Sequence, residues 1–418
     1  MTPGDDRTNG VSGGDSHLGG VARGFVILAY GLFSIAAQTL IFREFISSFE
    51  SNDIAVGIFF GCWFLWIALG AMVVNKSGRL AGWLTSNIEL VLPAYLPAFV
   101  IQAVLIIQIR RLAGIAPYAL LPIPTALILG MLVNAPVSFL TGVLFPVICR
   151  WVKLDTTSAV SRVYLLESLG SFVGGLGTTA LLAYGVSTEQ VFLILSLILS
   201  IAIVVSLFLI SQFNRIIFKV ISVLIVVFFG FTIISGGGAT LTKFVNTVKW
   251  SRLLPADSLA GSFQTAQAEY LYGQYQSQWV VVRQGSVIEA VPDPTTAGRI
   301  IALTLSQNPK AKRVLVIGSG LGLCRQFLQL PQIDRLVWAH PDSEYISRVL
   351  QVLPRDLGIA DKRFENWTGD VRSILAQGRE RFDLVIVNMP DVLSSVSNRY
   401  WTLDFYGQVK RSLNPDGV

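Results

Sequence analysis

The sequence predicts a multi-span α-helical membrane bundle followed by an α/β domain that opens with a small antiparallel β unit. Apolar residues make up 52% of the 418 residues and charged residues only 14%, whereas soluble domains are roughly 25% charged. The apolar residues are concentrated in residues 21–235, and the mean hydropathy of the chain is +0.60. Residues 250–418 have instead the composition of a soluble domain in which strand-like and helix-like segments alternate.

The amino-terminal segment and the apolar region are the first two elements. Residues 1–22 are rich in Gly, Ser and Asp without an apolar run, which predicts a disordered tail. Residues 23–235 form the predicted transmembrane domain, because a helix needs roughly 20 apolar residues to cross a bilayer. Seven segments meet this length: 24–48, 52–74, 88–109, 117–149, 160–184, 189–211 and 215–235. The fourth is too short for two crossings and rich in proline, so we expect one kinked helix.

The positive charges at the span ends predict an orientation. Eight Lys and Arg residues lie on the side of the amino terminus, and three lie on the opposite side before the soluble domain, or six if Lys243, Lys249 and Arg252 are counted. Positive charge favours the cytoplasm, so the amino terminus is expected there. Seven crossings then place the carboxy-terminal domain on the outer, periplasmic side. Two crossings by the fourth segment would invert that conclusion.

Composition argues against two classes of site. The net charge of +6 is scattered through loops instead of lying on one face, so we expect no nucleic-acid partner. The chain has two histidines and three cysteines without a CxxC pair, which predicts no metal site.

A polar site is predicted inside the membrane bundle. Gly170 and Gly174 have the GxxxG spacing that lets a neighbouring helix approach closely. Glu167 lies in the same span, where a charge is expensive and is usually paired or functional. We favour a buried pair with Arg43 or Arg162 over a proton or substrate path. A transport role of the membrane half remains an alternative.

The soluble half is divided into a linker, 236–262, and a domain, 263–418. Residues 269–291 alternate as a small antiparallel unit, and four strand-like runs separated by helices follow, which predicts a parallel, doubly wound sheet. Ligands of such sheets bind beyond the carboxyl ends of the strands. Those ends are Gly318–Gly322, His340–Asp342, Gly369–Asp370 and Asn388–Asp391.

The GxGxG sequence formed by Gly318, Gly320 and Gly322 is a weak signal by itself. Its glycines would let a ligand approach the backbone at a helix amino terminus, but a tight structural turn would have the same sequence. The preceding strand, the following helix and Gly369-Asp370 two strands later favour a cofactor-binding ancestry.

These motifs together resemble the polyamine aminopropyltransferases, the spermidine synthase family, and in particular the bacterial branch with membrane spans ahead of the synthase domain. The soluble half carries YQS at 275–277, RVLVIGSGLG, TGD at 368–370 and FDLVIVNMPD; the membrane half carries GVLFPVICR and SRVYLLESLGSFVGG. The resemblance implies a Rossmann-like domain, a decarboxylated S-adenosylmethionine donor, a polyamine acceptor and a bacterial inner membrane.

Several positions depart from the family's pattern. The resemblance implies an Asp in the glycine turn where this chain has Leu321, a ribose-binding acid where it has His340, and a catalytic Asp where it has Asn388. The DGxxQ motif appears as Gln284–Ile288 without its Asp or Gln. An imidazole cannot replace a carboxylate on a ribose diol, and an amide has no comparable basicity.

Three family positions are kept: Asp370 on the adenine side, Gln276 at the donor, and Asp391, a possible substitute base. We therefore expect a catalytically degenerate, membrane-anchored structural or interaction subunit that binds no cofactor. Its partners would be membrane lipids and other membrane subunits or a second copy of the chain. One of these would cover the sheet edge that is left open because the sequence ends before the family's last strands. The alternative is an active aminopropyltransferase with a decarboxylated S-adenosylmethionine donor.

Overall fold

The computed structural model of the chain describes residues 12–49, 53–116, 119, 121–152, 156–210, 216–389 and 395–418. The first half of this described part is helical, and the second half is an α/β domain. The predicted fold class is therefore confirmed.

The helical half runs in chain order through ten elements and a short turn. They are α1 (Ser12–Ser48), α2 (Asp53–Lys76), α3 (Gly78–Ser86), α4 (Ile88–Val91), α5 (Tyr95–Leu112), α6 (Ile123–Trp151), α7 (Thr156–Ala183), α8 (Thr188–Leu209), α9 (Ile216–Ile234) and α10 (Gly237–Trp250), with a 3-10 turn at Leu92–Ala94 between α4 and α5.

Seven helices of the described part are long and apolar enough to cross a membrane. They are Leu18–Ser48, Asp53–Lys76, Ile88–Leu112, Ile123–Trp151, Val160–Ala183, Thr188–Leu209 and Ile216–Ile234. The fourth is one continuous helix of 29 residues with Pro136 and Pro146 inside it. Its length fits one crossing, since two would need roughly 40 residues.

Glycines bring the long helices into backbone contact. A Cβ atom at Gly170 or Gly174 of α7 would overlap a carbonyl oxygen of α1, and one at Gly142 of α6 would overlap a carbonyl oxygen of α2. Gly177, further along α7, has open space around it. The predicted GxxxG face of α7 therefore lies against α1, where close approach allows dense packing without a hydrophobic driving force.

Two segments that were predicted to be irregular, the amino-terminal tail and the linker, contain regular secondary structure. Helix α1 begins at Ser12, so the second half of the predicted disordered tail is helical, while residues 1–11 lie outside the described part. The predicted linker 236–262 contains α10, a 3-10 turn at Ala256–Ser258 and the start of a strand. Helix α10 is amphipathic and anchored by Trp250, whose ring is fully buried and whose Nε1 donates to Ser258 Oγ at 2.8 Å. The sequence analysis missed this helix because its apolar residues are few.

The α/β domain has two sheets. Strands β1 (Leu259–Gln264), β2 (Glu269–Tyr275), β3 (Gln278–Arg283) and β4 (Ser286–Val291) form an antiparallel sheet in sequential order. Strands β5 (Arg313–Gly318), β6 (Arg335–Ala339), β7 (Phe364–Trp367) and β8 (Leu384–Asn388) form a parallel sheet in the order β7-β6-β5-β8. The helices of this domain are α11 (Pro294–Gln307), α12 (Leu321–Phe327), α13 (Tyr345–Val352), α14 (Val371–Ala376), α15 (Ser395–Asn398) and α16 (Leu403–Arg411).

The parallel sheet is covered on both faces. Along β5, Val314 and Val316 belong to the cluster that includes the antiparallel sheet, and Leu315 and Ile317 belong to a second cluster on the other face. All four side chains are fully buried. Alternation of side chains along a strand produces this division.

Candidate functional site

The carboxyl edge of the parallel sheet brings the predicted site residues together. Gly318, the last residue of β5, pairs with Asn388, the last residue of β8. His340 follows β6, the other neighbour of β5, and Gly369-Asp370 follows β7. Asp391 lies outside the described residues.

Gln276 occupies a different element from these residues. It lies in the exposed turn between β2 and β3 with a left-handed backbone, φ 49°. Its side-chain amide donates to the hydroxyl of the adjacent Tyr275 at 3.1 Å.

The glycine turn, residues Gly318–Gly322, is packed against the protein itself. Gly318 has φ +98°, and a Cβ there would overlap the carbonyl of Asn388. A Cβ at Gly320 would lie 2.7 Å from the indole nitrogen of Trp338, which donates to the Gly318 carbonyl at 2.8 Å. Gly322 has only ordinary contacts. The first two glycines are therefore required by the chain's own packing.

Glu289, which the sequence did not single out, contacts the glycine turn. Its Oε1 accepts hydrogen bonds from the backbone N–H of Gly320 at 2.7 Å and of Leu321 at 3.2 Å. Those N–H groups open helix α12 and have no partner within the helix. A bulge in β4 pairs Glu289 with Val281, where a regular hairpin would place Ile288. Glu289 therefore takes the register position that Ile288 would have in a regular hairpin.

Burial dominates the electrostatics of this contact. It raises the pKa of Glu289 to about 7, against the opposing effect of the hydrogen bonds from the backbone of the glycine turn. Leu321, where the resemblance implies an Asp, is fully buried. The one sequence signal for the contact was an acidic residue inside an otherwise apolar strand, SVIEAV.

His340 faces the interior. It is 5% exposed, its ring lies 4.3 Å from that of Tyr345, and its Nδ1 accepts from the backbone N–H of Asp342 at 3.0 Å. Burial is the main cause that lowers the pKa of His340 to about 4, so the ring is neutral at pH 7. The Asp342 carboxylate accepts from Thr265 at 2.6 Å and Tyr270 at 2.8 Å, which connects the two sheets.

Asn388 and Asp370 are also held by the protein. The Asn388 side-chain amide donates to the carbonyl of Ser319. The Asp370 carboxylate accepts from the guanidinium of Arg399 at 2.8 Å and from the Ser373 hydroxyl at 3.1 Å. The side chains of Asn388 and Asp370 are thus each bound by other groups of the protein. Among the described residues, no group of three His, Cys, Asp or Glu side chains could hold a metal ion.

The predicted membrane pair is separated in the structure. Glu167 accepts a hydrogen bond from Ser171 at 3.1 Å, and Ser171 also contacts the Gly31 carbonyl of α1 at 3.2 Å. Arg43 lies twelve residues beyond Gly31 on the same helix, about 18 Å along its axis. Of the two expected partners of Glu167, Arg43 is therefore wrong and instead lines a cavity at the end of the bundle; the pairing with Arg162 stays a prediction.

The fold and this edge define an α/β domain with a parallel sheet covered on both faces. Residues 297–418 match the spermine/spermidine synthase domain. Similar curated proteins include the polyamine aminopropyltransferase of Agathobacter rectalis, 22% identical over 161 residues, which cover 37% of this chain and 56% of that protein. The enzyme of Thermoanaerobacter pseudethanolicus is 31% identical over 120 residues, 28% of this chain and 42% of that protein.

Two solved structures are similar to part of the chain. One is a spermidine synthase in complex with the transition state analogue AdoDATO, with a TM-score of 0.34 and 18% identity. The other is spermidine synthase from Thermotoga maritima, with a TM-score of 0.33 and 19% identity. Each match covers 38% of this chain and 55% of the other. The chain thus spans about half the length of the relatives it matches, and its carboxy-terminal domain is spermidine synthase-like.

Proposed function

We propose that this protein is a membrane-anchored spermidine synthase-like protein whose nucleotide site no longer binds a donor, and that it acts as a structural or interaction subunit of a membrane assembly. The observation that carries the proposal is the contact of Glu289 with the N–H groups of Gly320 and Leu321. In nucleotide-binding folds, N–H groups at this position face the ligand.

The remaining donor-binding positions support the same proposal. A ribose diol needs an acceptor with two free oxygens, whereas His340 offers a ring whose Nδ1 already binds the backbone of Asp342. The amide of Asn388 cannot take a proton from an attacking amine. Asp370 could still do so chemically, but its carboxylate is paired with Arg399.

We propose a bacterial inner-membrane location with the amino terminus in the cytoplasm and the carboxy-terminal domain on the periplasmic side. The seven candidate spans and the single continuous fourth helix support an odd number of crossings. Adenosylated donors are expected to be scarce on that side, which agrees with a site that binds none.

Membrane lipids and other membrane subunits, or a second copy of the chain, are the partners that we propose. Ser222 is the only residue of α9 that is buried inside this chain, so lipid or another protein would contact the exposed apolar side chains of this helix. A role of Glu167 in helix packing is favoured over transport, because its carboxylate binds Ser171 at the α1–α7 contact.

The test is calorimetric titration of the full chain in detergent with decarboxylated S-adenosylmethionine and with methylthioadenosine, beside an active aminopropyltransferase as positive control. We expect no heat of binding from protein whose thermal unfolding shows that it is folded. Micromolar binding would overturn the proposal. Transfer of an aminopropyl group to a diamine in the same preparation would establish the active alternative.

A further inference from the structure

A cavity of about 190 Å³ lies where the membrane bundle meets the antiparallel sheet. We call it the junction cavity. Its lining comes from the end of α1, the start of α8, the end of α10 and strands β2 and β3 with their turns. The charged lining residues are Arg43, Glu44, Lys249, Arg252 and Glu269.

The two carboxylates of the cavity share one counter-ion, Lys249. Lys249 Nζ lies 2.7 Å from Glu44 Oε1 and 3.1 Å from Glu269 Oε2, with all three side chains at most 22% exposed. The neighbouring carboxylates raise the pKa of Lys249 despite its burial, so it remains charged. The carboxylate of Glu189 in α8 also raises the pKa of Lys249, although Glu189 does not line the cavity.

Two arginines add positive charge beyond this cluster. The Nε and Nη2 atoms of Arg252 are buried and have no hydrogen-bond partner among the described residues. A buried N–H without a partner is destabilising, and the planar guanidinium suits an oxyanion that accepts two parallel bonds. Together with Arg43, this gives the lining three cations against two acids.

The cavity lies at the ends of two candidate membrane spans. The candidate span in α1 ends at Ser48, and that in α8 begins at Thr188; Ser47 and Thr188 both line the cavity. Polar headgroups lie at the ends of spanning helices. The volume is smaller than the roughly 300 Å³ of ordinary ligand pockets, so it suits a single ionic group better than a nucleotide.

We propose that the junction cavity binds a phosphate group through Arg252 and Arg43, supplied by an anionic phospholipid or by free phosphate. The bound group completes the hydrogen bonds of Arg252 and thereby stabilises the attachment of the antiparallel sheet to the bundle. This site is independent of the glycine turn and of any donor.

The test measures the unfolding midpoint of the full chain in a nonionic detergent. One arm adds sodium phosphate against chloride at equal ionic strength; a second adds phosphatidylglycerol against phosphatidylcholine in mixed micelles. We expect the midpoint to rise by about 3 °C or more at saturation with a phosphate-bearing anion. R252Q should weaken the binding of that ligand about tenfold or more. R379Q, which changes an exposed arginine far along the chain, should leave the affinity unchanged.

Each outcome has a distinct meaning. A rise with both phosphate and phosphatidylglycerol indicates a site open to soluble ions, and a rise with phosphatidylglycerol alone indicates a lipid site. Equal midpoints in all conditions for the wild-type chain would overturn the proposal, as would an equal response in R252Q. If R252Q does not fold, R43Q and the wild-type titrations still decide the question.

Discussion

The glycine turn and the junction cavity both hold N–H donors that could bind an anion, but they differ in what already accepts from those donors. At the glycine turn, the Glu289 carboxylate accepts from Gly320 and Leu321. At the junction cavity, two N–H groups of Arg252 have no acceptor among the described residues. The comparison teaches that a familiar motif does not establish a working site, because binding depends on whether the motif's polar groups are still free.

The largest effect is expected from breaking the charge cluster at the junction cavity. K249M would leave Glu44 and Glu269 buried without their counter-ion, which should lower the free energy of unfolding by about 3–5 kcal/mol. Chemical denaturation in detergent measures it. K243M, on the exposed face of the same helix, should change stability by about 0.5 kcal/mol or less. Equal effects of the two substitutions would contradict the described cluster.

The second prediction concerns pH at the glycine turn. Because the folded-state pKa of Glu289 is raised from 4.5 to about 7, its contribution to stability is fully present below pH 4.5 and is lost as the pH rises through 7. E289Q lacks this loss, so its stability relative to wild type should increase by about 3 kcal/mol across that window. Measurement of the free energy of unfolding of both proteins as a function of pH tests this prediction.

The contribution of His340 to stability changes with pH in the opposite direction to that of Glu289, over an overlapping pH range. The pKa of His340 is lowered from 6.5 to about 4, so its contribution is present above pH 6.5 and is lost as the pH falls toward 4. This contribution is common to wild type and E289Q and cancels in their difference. A pH-independent difference between the two proteins would show that Glu289 is not buried against the glycine turn.

A smaller effect separates two glycines of the same turn. G318A forces a side chain into a left-handed backbone and against the Asn388 carbonyl, which should lower stability by about 1–3 kcal/mol. G322A has space for the added methyl group and should be neutral or slightly stabilising, as Ala favours helices. Thermal unfolding of both variants checks this. Equal destabilisation would mean that the turn is less tightly packed than described.

The smallest effect is expected at the exposed ion pair of the carboxyl edge. Arg399 and Asp370 are 42% and 43% exposed, and such pairs contribute about 0–1 kcal/mol. R399Q should therefore change stability by no more than that, and less in high salt. A larger loss in denaturation experiments would indicate that this pair organises the edge of the candidate site.

The sequence was sufficient for those features that depend on local pattern. Span lengths, strand alternation and the positions of the strand ends are set by side-chain periodicity, so the seven helices and the edge with Gly318, His340 and Asn388 could be predicted. Helix α10 was not predicted because few of its residues, chiefly Trp250, form its buried face.

The contacts on which the proposed function rests could not be predicted from the sequence in the same way. The partner of the glycine turn, Glu289, comes from a different strand and reaches it through a one-residue bulge. Arg43 and Glu167 are both polar residues in spans, but the axial rise of α1 separates them. The periodicity of the sequence predicts on which face of a helix or strand a residue lies. The neighbour that the residue contacts is determined by tertiary packing.

Hydrogen exchange at the glycine turn, followed by mass spectrometry of peptides spanning residues 313–327, tests the central claim most directly. The amides of Gly320 and Leu321 should be protected in the wild-type chain, faster in E289A, and unchanged by saturating methylthioadenosine. Protection that appears in the wild-type chain only when methylthioadenosine is added would contradict the claim and indicate an open nucleotide site.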